Sequence, residues 1–567
     1  MSRRRTPLPY PVSGGSAIGP GTEGDETVPV PRVYDVAVIG AGIVGAAIAR
    51  ELTGHDLSVA VLEARGDVGD ATSKANTAIL HTGFDAKPGT LESRLVRRGY
   101  HLLSGYARAT GIPVEQTGAL LVAWTGEELQ ALPGLKEKAE KNGYQKCEIL
   151  TADAVYRQVP ALGDGVLGGL TVPDESIICT WTTNLALATE AKLRGADILL
   201  HHVVTGADVG ADHTNLHTSA GTVSARWVIN AAGLGADTLD RLFGYDRFTV
   251  TPRRGELFVF DKLARPLVNR IVLPVPTSRG KGVLVAPTIY GNVMLGPTAE
   301  DLTDRTATGT SEPGFEFLLS KGEKLMPRLL AEEITASYAG LRAAIDRDDY
   351  LIEATADRRY LLVGGIRSTG LTAGMAIAEH VRDLIAEAGL TLVPRGDLPD
   401  PPRMPNLGEA YQRPYQDAEL IAKDEAYGRI VCFCERVTAG EIRDAFASPL
   451  PPCTLEGLRR RTRVMNGRCQ GFFCGAEVTV LLGRQATGGT EPPSHPSPTR
   501  TPSSHGPTAG EVPEQTPTAG AAPDQGGRPD GVLGLDAKAD VKSGQGSKAD
   551  ARAGWRVQAG SDEGTQP

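Results

Sequence analysis

The feature that most constrains this chain is Gly40-Ala-Gly42-Ile-Val-Gly45, which follows directly on the apolar run Tyr34-Asp-Val-Ala-Val-Ile39. The run reads as a short buried strand, and Gly42 to Thr53 carries helical spacing through Ile43, Ala47, Ile48 and Leu52. Leu57 to Leu62 reads as a second strand, ending at Glu63, 18 residues beyond Gly45. Strand, glycine turn, helix and second strand with a terminal acid form a βαβ unit suited to a dinucleotide. Gly40 permits the tight turn, Gly42 lets backbone approach a pyrophosphate, and Gly45 lets helix pack closely on strand, with the helix N-terminus facing the anion. Glu63 stands where a carboxylate accepts hydrogen bonds from ribose hydroxyls. A carboxylate there disfavours a 2′-phosphate, whereas NAD and FAD both satisfy the pattern.

A second signature lies near the other end. Cys432-x-Cys434 is followed after 34 residues by Cys469-x4-Cys474, which makes four thiolates. Such a set suits zinc or iron–sulfur, but zinc sites usually space their cysteine pairs by about two to four residues, so the C-x-C pair favours iron–sulfur. Cys147, Cys179 and Cys453 read as ordinary buried thiols.

Composition narrows the class. The 567 residues include 68 Gly and only 5% aromatics, which favours an α/β enzyme over an all-β sandwich, and the length implies about three to four domains. A net charge of -9 gives no general attraction for nucleic acid. Seven cysteines are too few for a disulfide scaffold of this length, which points to a reducing cytoplasm. The opening Arg3-Arg4-Arg5 is not followed by an apolar segment, and no run of about 18 apolar residues occurs that could span a membrane.

The expected organisation is a disordered leader over 1–32, an oxidoreductase domain over 33–395, a proline-rich connector over 396–428, a cysteine module over 429–484 and a disordered tail over 485–567. In the tail, Ile, Met, Phe and Tyr are all absent, so too little apolar surface exists to offset its ordering entropy.

The segment Asp35 to Gly45 with Glu63-Ala-Arg65, together with Val228-Ile-Asn-Ala-Ala-Gly233, resembles the FAD-binding pattern of the D-amino-acid-oxidase-type flavoenzyme superfamily. The resemblance covers about residues 33–390 and selects FAD. It implies a Rossmann-like FAD-binding domain interleaved with a mixed-sheet substrate domain. By the same resemblance Gly233 returns the chain to the cofactor, and Gly365, Gly370, Leu371 and Thr372 form a late loop against the flavin. Thr72 and Ser73 are implied to contact phosphate and ring, and His81 becomes a candidate base for a substrate hydroxyl.

An anionic substrate calls for arginine, whose planar fork suits carboxylate or phosphate. Candidates are Arg253, Arg254, Arg342 and Arg367. Arg342 leads, because Tyr338-Ala-Gly-Leu-Arg342 resembles a stretch of glycerol-3-phosphate and related 2-hydroxy-acid oxidising flavoenzymes, while Arg253 and Arg254 read equally well as salt-bridge residues.

The sequence from Cys432-Phe-Cys434 to Cys469-Gln-Gly-x-x-Cys474 resembles the bacterioferritin-associated-ferredoxin-like [2Fe–2S] module, a small helical domain in which Cys432, Cys434, Cys469 and Cys474 hold the cluster. Arg459, Arg460, Arg461, Arg463 and Arg468 are expected to offset its negative charge.

A flavin domain followed by this module resembles the large-subunit family of anaerobic glycerol-3-phosphate dehydrogenases. That resemblance implies oxidation of sn-glycerol 3-phosphate to dihydroxyacetone phosphate. Electrons would pass from FAD through the cluster to a quinone or partner subunit, in the cytoplasm or at the inner membrane face, with any membrane association running through partners. His81 to Leu91 also resembles L-2-hydroxyglutarate-oxidising flavoenzymes, and similar chains oxidise amino acids. A third reading is a non-catalytic iron–sulfur electron-transfer module.

Overall fold

The computed structural model describes residues 32–276, 282–409 and 411–486. The expected leader and tail lie outside the described residues, apart from Arg32 and the end of a helix at Ala486.

Strand β1 (Val33–Ile39) leads through the Gly40 turn into helix α1 (Ile43–Leu52). Gly42 is the cap of α1 rather than its first residue and brings no side-chain hydrogen bond, which leaves the first amides to other partners. Strand β2 (Val59–Leu62) begins two residues later than its apolar run, because the Asp35 carboxylate accepts from the N–H and hydroxyl of Ser58 and fixes a corner there.

Helices α2 (Leu91–Thr110) and α3 (Thr180–Leu193) follow, then strands β3 (Asp197–Leu199), β4 (Gly221–Asn230), β5 (Thr251–Phe260), β6 (Ile334–Ala344) and β7 (Tyr360–Gly364). Helix α4 (Gly370–Glu387) starts at Gly370, a turn ahead of the Ala373 that its apolar spacing marks.

The first sheet has eight strands, with β3-β2-β1-β4-β7 running parallel at its centre. Parallel strands are covered on both faces, which is why β1, β2 and β7 are near-continuous apolar runs. Helices α1, α2, α3 and α4 pack together over one face around Ile48, Leu103, Leu187 and Ile377. This α/β architecture agrees with the expectation.

The second sheet has nine strands of mixed direction. Its long antiparallel pair β5/β6 sets Arg253 opposite Arg342, and helix Glu312–Leu325 seals its outer side.

The connector differs from the extended chain expected over 396–428. It contains short helical segments at Pro414–Gln416, Ala418–Lys423 and Glu425–Tyr427, and Arg413 is only 1% exposed. Arg413 donates to Glu441 at 3.2 Å, so the connector is pinned to the cysteine module rather than hanging as a tether.

That module comprises the hairpin Ile430–Cys432/Val437–Thr438, helix α5 (Ala439–Ala447), helix α6 (Leu455–Thr462) and helix Gly475–Ala486. Its own core gathers Val431, Val437, Ile442, Leu458 and Val478. Among the described residues no helix is long and apolar enough to cross a membrane.

Candidate active site and cysteine centre

A cavity of about 1500 Å³ extends from the Gly40 turn to the second sheet. At its nucleotide end helix packs tightly on strand: a Cβ on Gly45 would lie 1.8 Å from the Gly40 carbonyl oxygen, so only glycine fits. The Ala41 N–H donates to Glu63 Oε2 at 2.7 Å and the Arg65 N–H to Oε1 at 2.9 Å. Burial nevertheless pushes the Glu63 carboxyl up. The Ile43 N–H donates to Ser73 Oγ at 2.9 Å. Glu63 and Ser73 thus grip the turn from both ends of one loop, and a backbone cradle of this kind at a helix N-terminus fits a diphosphate.

Gly40, Gly42, Glu63, Thr72, Ser73 and Gly233 all line this cavity, as do Gly365, Gly370 and Leu371. Thr72 spends its hydroxyl on the Leu341 carbonyl at 2.8 Å. Gly45 and Thr372 stand behind the wall. Thr372 is fully buried, and its hydroxyl accepts from the His81 N–H at 3.0 Å, so its contact is with the loop carrying the candidate base.

The His81 side chain lines the cavity, with Nδ1 3.0 Å from Glu175 Oε2. Glu175 is 2% exposed, and its other oxygen accepts from the N–H and hydroxyl of Thr82 at 2.7 and 2.8 Å. A carboxylate on one ring nitrogen fixes orientation and tautomer and supports a positive imidazole, which is the arrangement of a general base.

The arginine candidates separate by their partners. Arg253 forms a two-pronged pair with Asp301 at 2.5 and 2.9 Å, Arg254 pairs with Glu256 and Glu300, and Arg367 with Glu92 at 2.7 Å. Arg342 lines the cavity, and its hydrogen bond goes to the Thr298 carbonyl at 3.3 Å. No carboxylate among the described residues forms an ion pair with it. Burial, and then Arg253, pull its guanidinium below the ordinary range, the signature of a cation short of an anion.

The four cysteines meet as two pairs: buried Cys432 with buried Cys474, and half-exposed Cys434 with half-exposed Cys469. Among the described residues no three His, Cys, Asp or Glu side chains are arranged around a single ion. Two thiol pairs suit a two-iron cluster better than one tetrahedral zinc. The backbone N–H of Phe473, with those of Gly471 and Phe472, holds the Cys469 thiol below its usual range, whereas burial pushes Cys474 up to about 12.

Two cysteine-module expectations are corrected. Cys453 is exposed, on the loop before α6, instead of buried. The arginines expected to offset the cluster are bound to carboxylates: Arg460 and Arg461 to Asp67, Arg463 to Glu435, Arg459 to Glu456 and Arg468 to Asp261. Sequence proximity to Cys469 was a poor guide, since carboxylates distant in sequence claim these side chains in the fold.

Residues 35–384 match the FAD dependent oxidoreductase family, and residues 430–484 match the BFD-like [2Fe-2S] binding domain. The chain belongs to the FAD-dependent oxidoreductases. This oxidoreductase is 35% identical over 455 residues to a glycerol 3-phosphate dehydrogenase of Caloramator mitchellensis, covering 80% of this chain and 94% of that one. It is 31% identical to a glycerol 3-phosphate oxidase of Mycoplasma pneumoniae, over 62% of this chain and 94% of that one. An L-2-hydroxyglutarate dehydrogenase of Arabidopsis thaliana is 29% identical, over 62% and 84%. The structure of dithionite-reduced L-alpha-glycerophosphate oxidase from Mycoplasma pneumoniae with FAD bound is similar at TM-score 0.62 and 27% identity, covering 66% of this chain and 99% of that one. The oxidoreductase thus takes FAD in its first domain and a [2Fe–2S] cluster in its second.

Sequence reasoning missed two residues of this oxidoreductase. Glu175 lies 94 positions from His81, in a Pro-Asp-Glu turn that resembles any solvated corner. Asp67 is 3% exposed and bonded to α6, although its neighbours Gly66 and Gly69 suggest a surface loop.

Proposed function

We propose that this oxidoreductase converts sn-glycerol 3-phosphate to dihydroxyacetone phosphate, and that the electrons leave through the [2Fe–2S] cluster to a quinone or partner protein. The observation that carries the substrate reading is Arg342, a buried cation facing the cavity with a carbonyl as its hydrogen-bond partner. A phosphate ester supplies the missing anion and matches the guanidinium fork. The similarity to the glycerol 3-phosphate dehydrogenase and oxidase supports the same choice.

In this reading His81 takes the proton of the substrate C2 hydroxyl, with Glu175 holding the ring and balancing the charge it gains. Arg342 holds the phosphate, which orients the C2–H for transfer. FAD, when bound, accepts the hydride. Glu63, Ser73 and the Gly40 turn hold the dinucleotide, and Cys432, Cys434, Cys469 and Cys474 hold the cluster. Two electrons arrive together and leave one at a time, which is the use of a cluster beside a flavin. Phe433, Phe472 and Phe473, all exposed beside the thiols, offer an apolar approach to a docking acceptor. Seven free thiols suit the reducing cytoplasm.

The test is anaerobic mixing of the purified protein with glycerol 3-phosphate, L-2-hydroxyglutarate and a panel of amino acids, following flavin bleaching. Bleaching by glycerol 3-phosphate in preference to the others is expected. Bleaching by a 2-hydroxy acid or amino acid alone transfers the assignment to that class, and no bleaching by any leaves only the electron-transfer module.

A further inference from the structure

The loop from Glu63 to Lys74 is held at more than its two ends. At its centre Asp67 accepts from Arg461 Nη1 and Nη2, each at 2.8 Å, and from Arg460 Nη2 at 2.6 Å, while Arg460 Nη1 reaches Asp70 at 2.6 Å. Both arginines stand on α6 of the cysteine module, and both are nearly buried. Gly457 on the same helix admits the carboxylate: a Cβ there would lie 2.9 Å from Asp67 Oδ2. Burial pushes the Asp67 carboxyl up, but Arg461 and Arg460 outweigh it and hold the group below the ordinary carboxylate range.

A second contact reaches the same loop. The guanidinium of fully buried Arg463 lies 4.0 Å from the centre of the Tyr290 ring, and Tyr290 stacks on Trp181 at 5.2 Å. Trp181 Nε1–H donates to the Lys74 carbonyl and the Thr180 hydroxyl to the Ser73 carbonyl, each at 3.1 Å. The loop that grips the glycine turn through Glu63 and Ser73 is therefore clamped from behind by the cysteine module.

We infer that the cysteine module is a working part of the FAD cradle, with Arg460 and Arg461 as positioning residues that hold loop 63–74 in its cofactor-gripping form through Asp67 and Asp70. The inference rests on the flavin-and-cluster reading above. It adds a coupling: retention of FAD depends on docking of α6. Such coupling is reciprocal, so bound FAD also tightens the docked module. Buried charge pairs are costly to form and costly to break on one side, so removal of one arginine acts strongly on the loop.

The test uses the full-length holoprotein and the dissociation constant of FAD, read from flavin fluorescence, with the visible spectrum reporting the cluster. In Arg461→Ala, FAD binding is expected to weaken about tenfold while the cluster spectrum persists, with Arg461→Lys falling between. Arg443→Ala removes an exposed arginine of the same module that pairs with Asp424 and Asp444, and it should leave FAD binding unchanged. FAD affinity within twofold of wild type in Arg461→Ala overturns the inference, as does equal weakening in Arg443→Ala. If Arg461→Ala does not fold, Asp67→Asn tests the same clamp from the flavin side with the same two outcomes. Wild-type protein without flavin would instead defeat the underlying reading, a result separate from either variant.

Discussion

His81 Nδ1 lies 3.0 Å from Glu175 Oε2, and the same carboxylate accepts both donors of Thr82. One buried acid thus fixes the ring of the candidate base and the backbone that follows it. Because the acid is 2% exposed, its charge is little screened and acts directly on the imidazole.

Replacing Glu175 with Gln keeps the shape and removes the charge that supports a positive ring. The rate of flavin reduction by substrate should fall about a hundredfold, with FAD content unchanged. Stopped-flow absorbance measures it. A variant that reduces its flavin at the wild-type rate would remove His81–Glu175 from the proton transfer.

Arg342→Met should separate binding from stability. Loss of the anion partner is expected to lower kcat/KM for glycerol 3-phosphate by about a hundredfold or more. Without substrate the melting temperature should hold or rise, because a buried cation lacking a carboxylate costs desolvation that Met does not. A melting temperature several degrees lower would mean that Arg342 serves the fold.

Cys434→Ser removes a thiol of the half-exposed pair. The brown cluster absorbance should disappear while substrate still bleaches the flavin, with electron delivery to a one-electron acceptor falling. Loss of flavin reduction as well would contradict the division of labour between the two cofactors.

The Asp67 clamp has a pH signature. Its folded pKa lies below the ordinary value of 3.8, since the two arginines outweigh burial. A depressed carboxyl contributes stability that is fully present above the unfolded pKa and is lost as pH falls through the folded one. The difference in unfolding free energy between wild type and Asp67→Asn should therefore be constant from neutral pH to about 5 and shrink below about 4. Urea unfolding across that range reports it, and a difference that grows on acidification would reverse the assignment.

Local chemistry made the nucleotide turn legible. Gly40, Gly42, Gly45 and Glu63 fall within one βαβ unit, where backbone sterics and strand spacing alone demand those residues. The four cysteines were readable for a like reason, because a cluster constrains residue type whatever surrounds it. Arg342 stood out among four arginines through its neighbouring residues; its burial and its lack of a carboxylate come from the β5/β6 register and the cavity beside it.

Other features depend on contacts between segments far apart in the chain. Glu175 meets His81 across 94 positions, and Asp67 meets Arg461 across 394. Nothing local distinguishes either acid from a solvated one, since burial and pairing arise only when strands and helices pack. The sequence by itself determined which cofactors the chain is built to hold, through residue types that those groups require. Tertiary structure decided which charges face the cavity, which hold the base and which fasten the cysteine module to the flavin loop, because electrostatic partners are chosen by proximity in space.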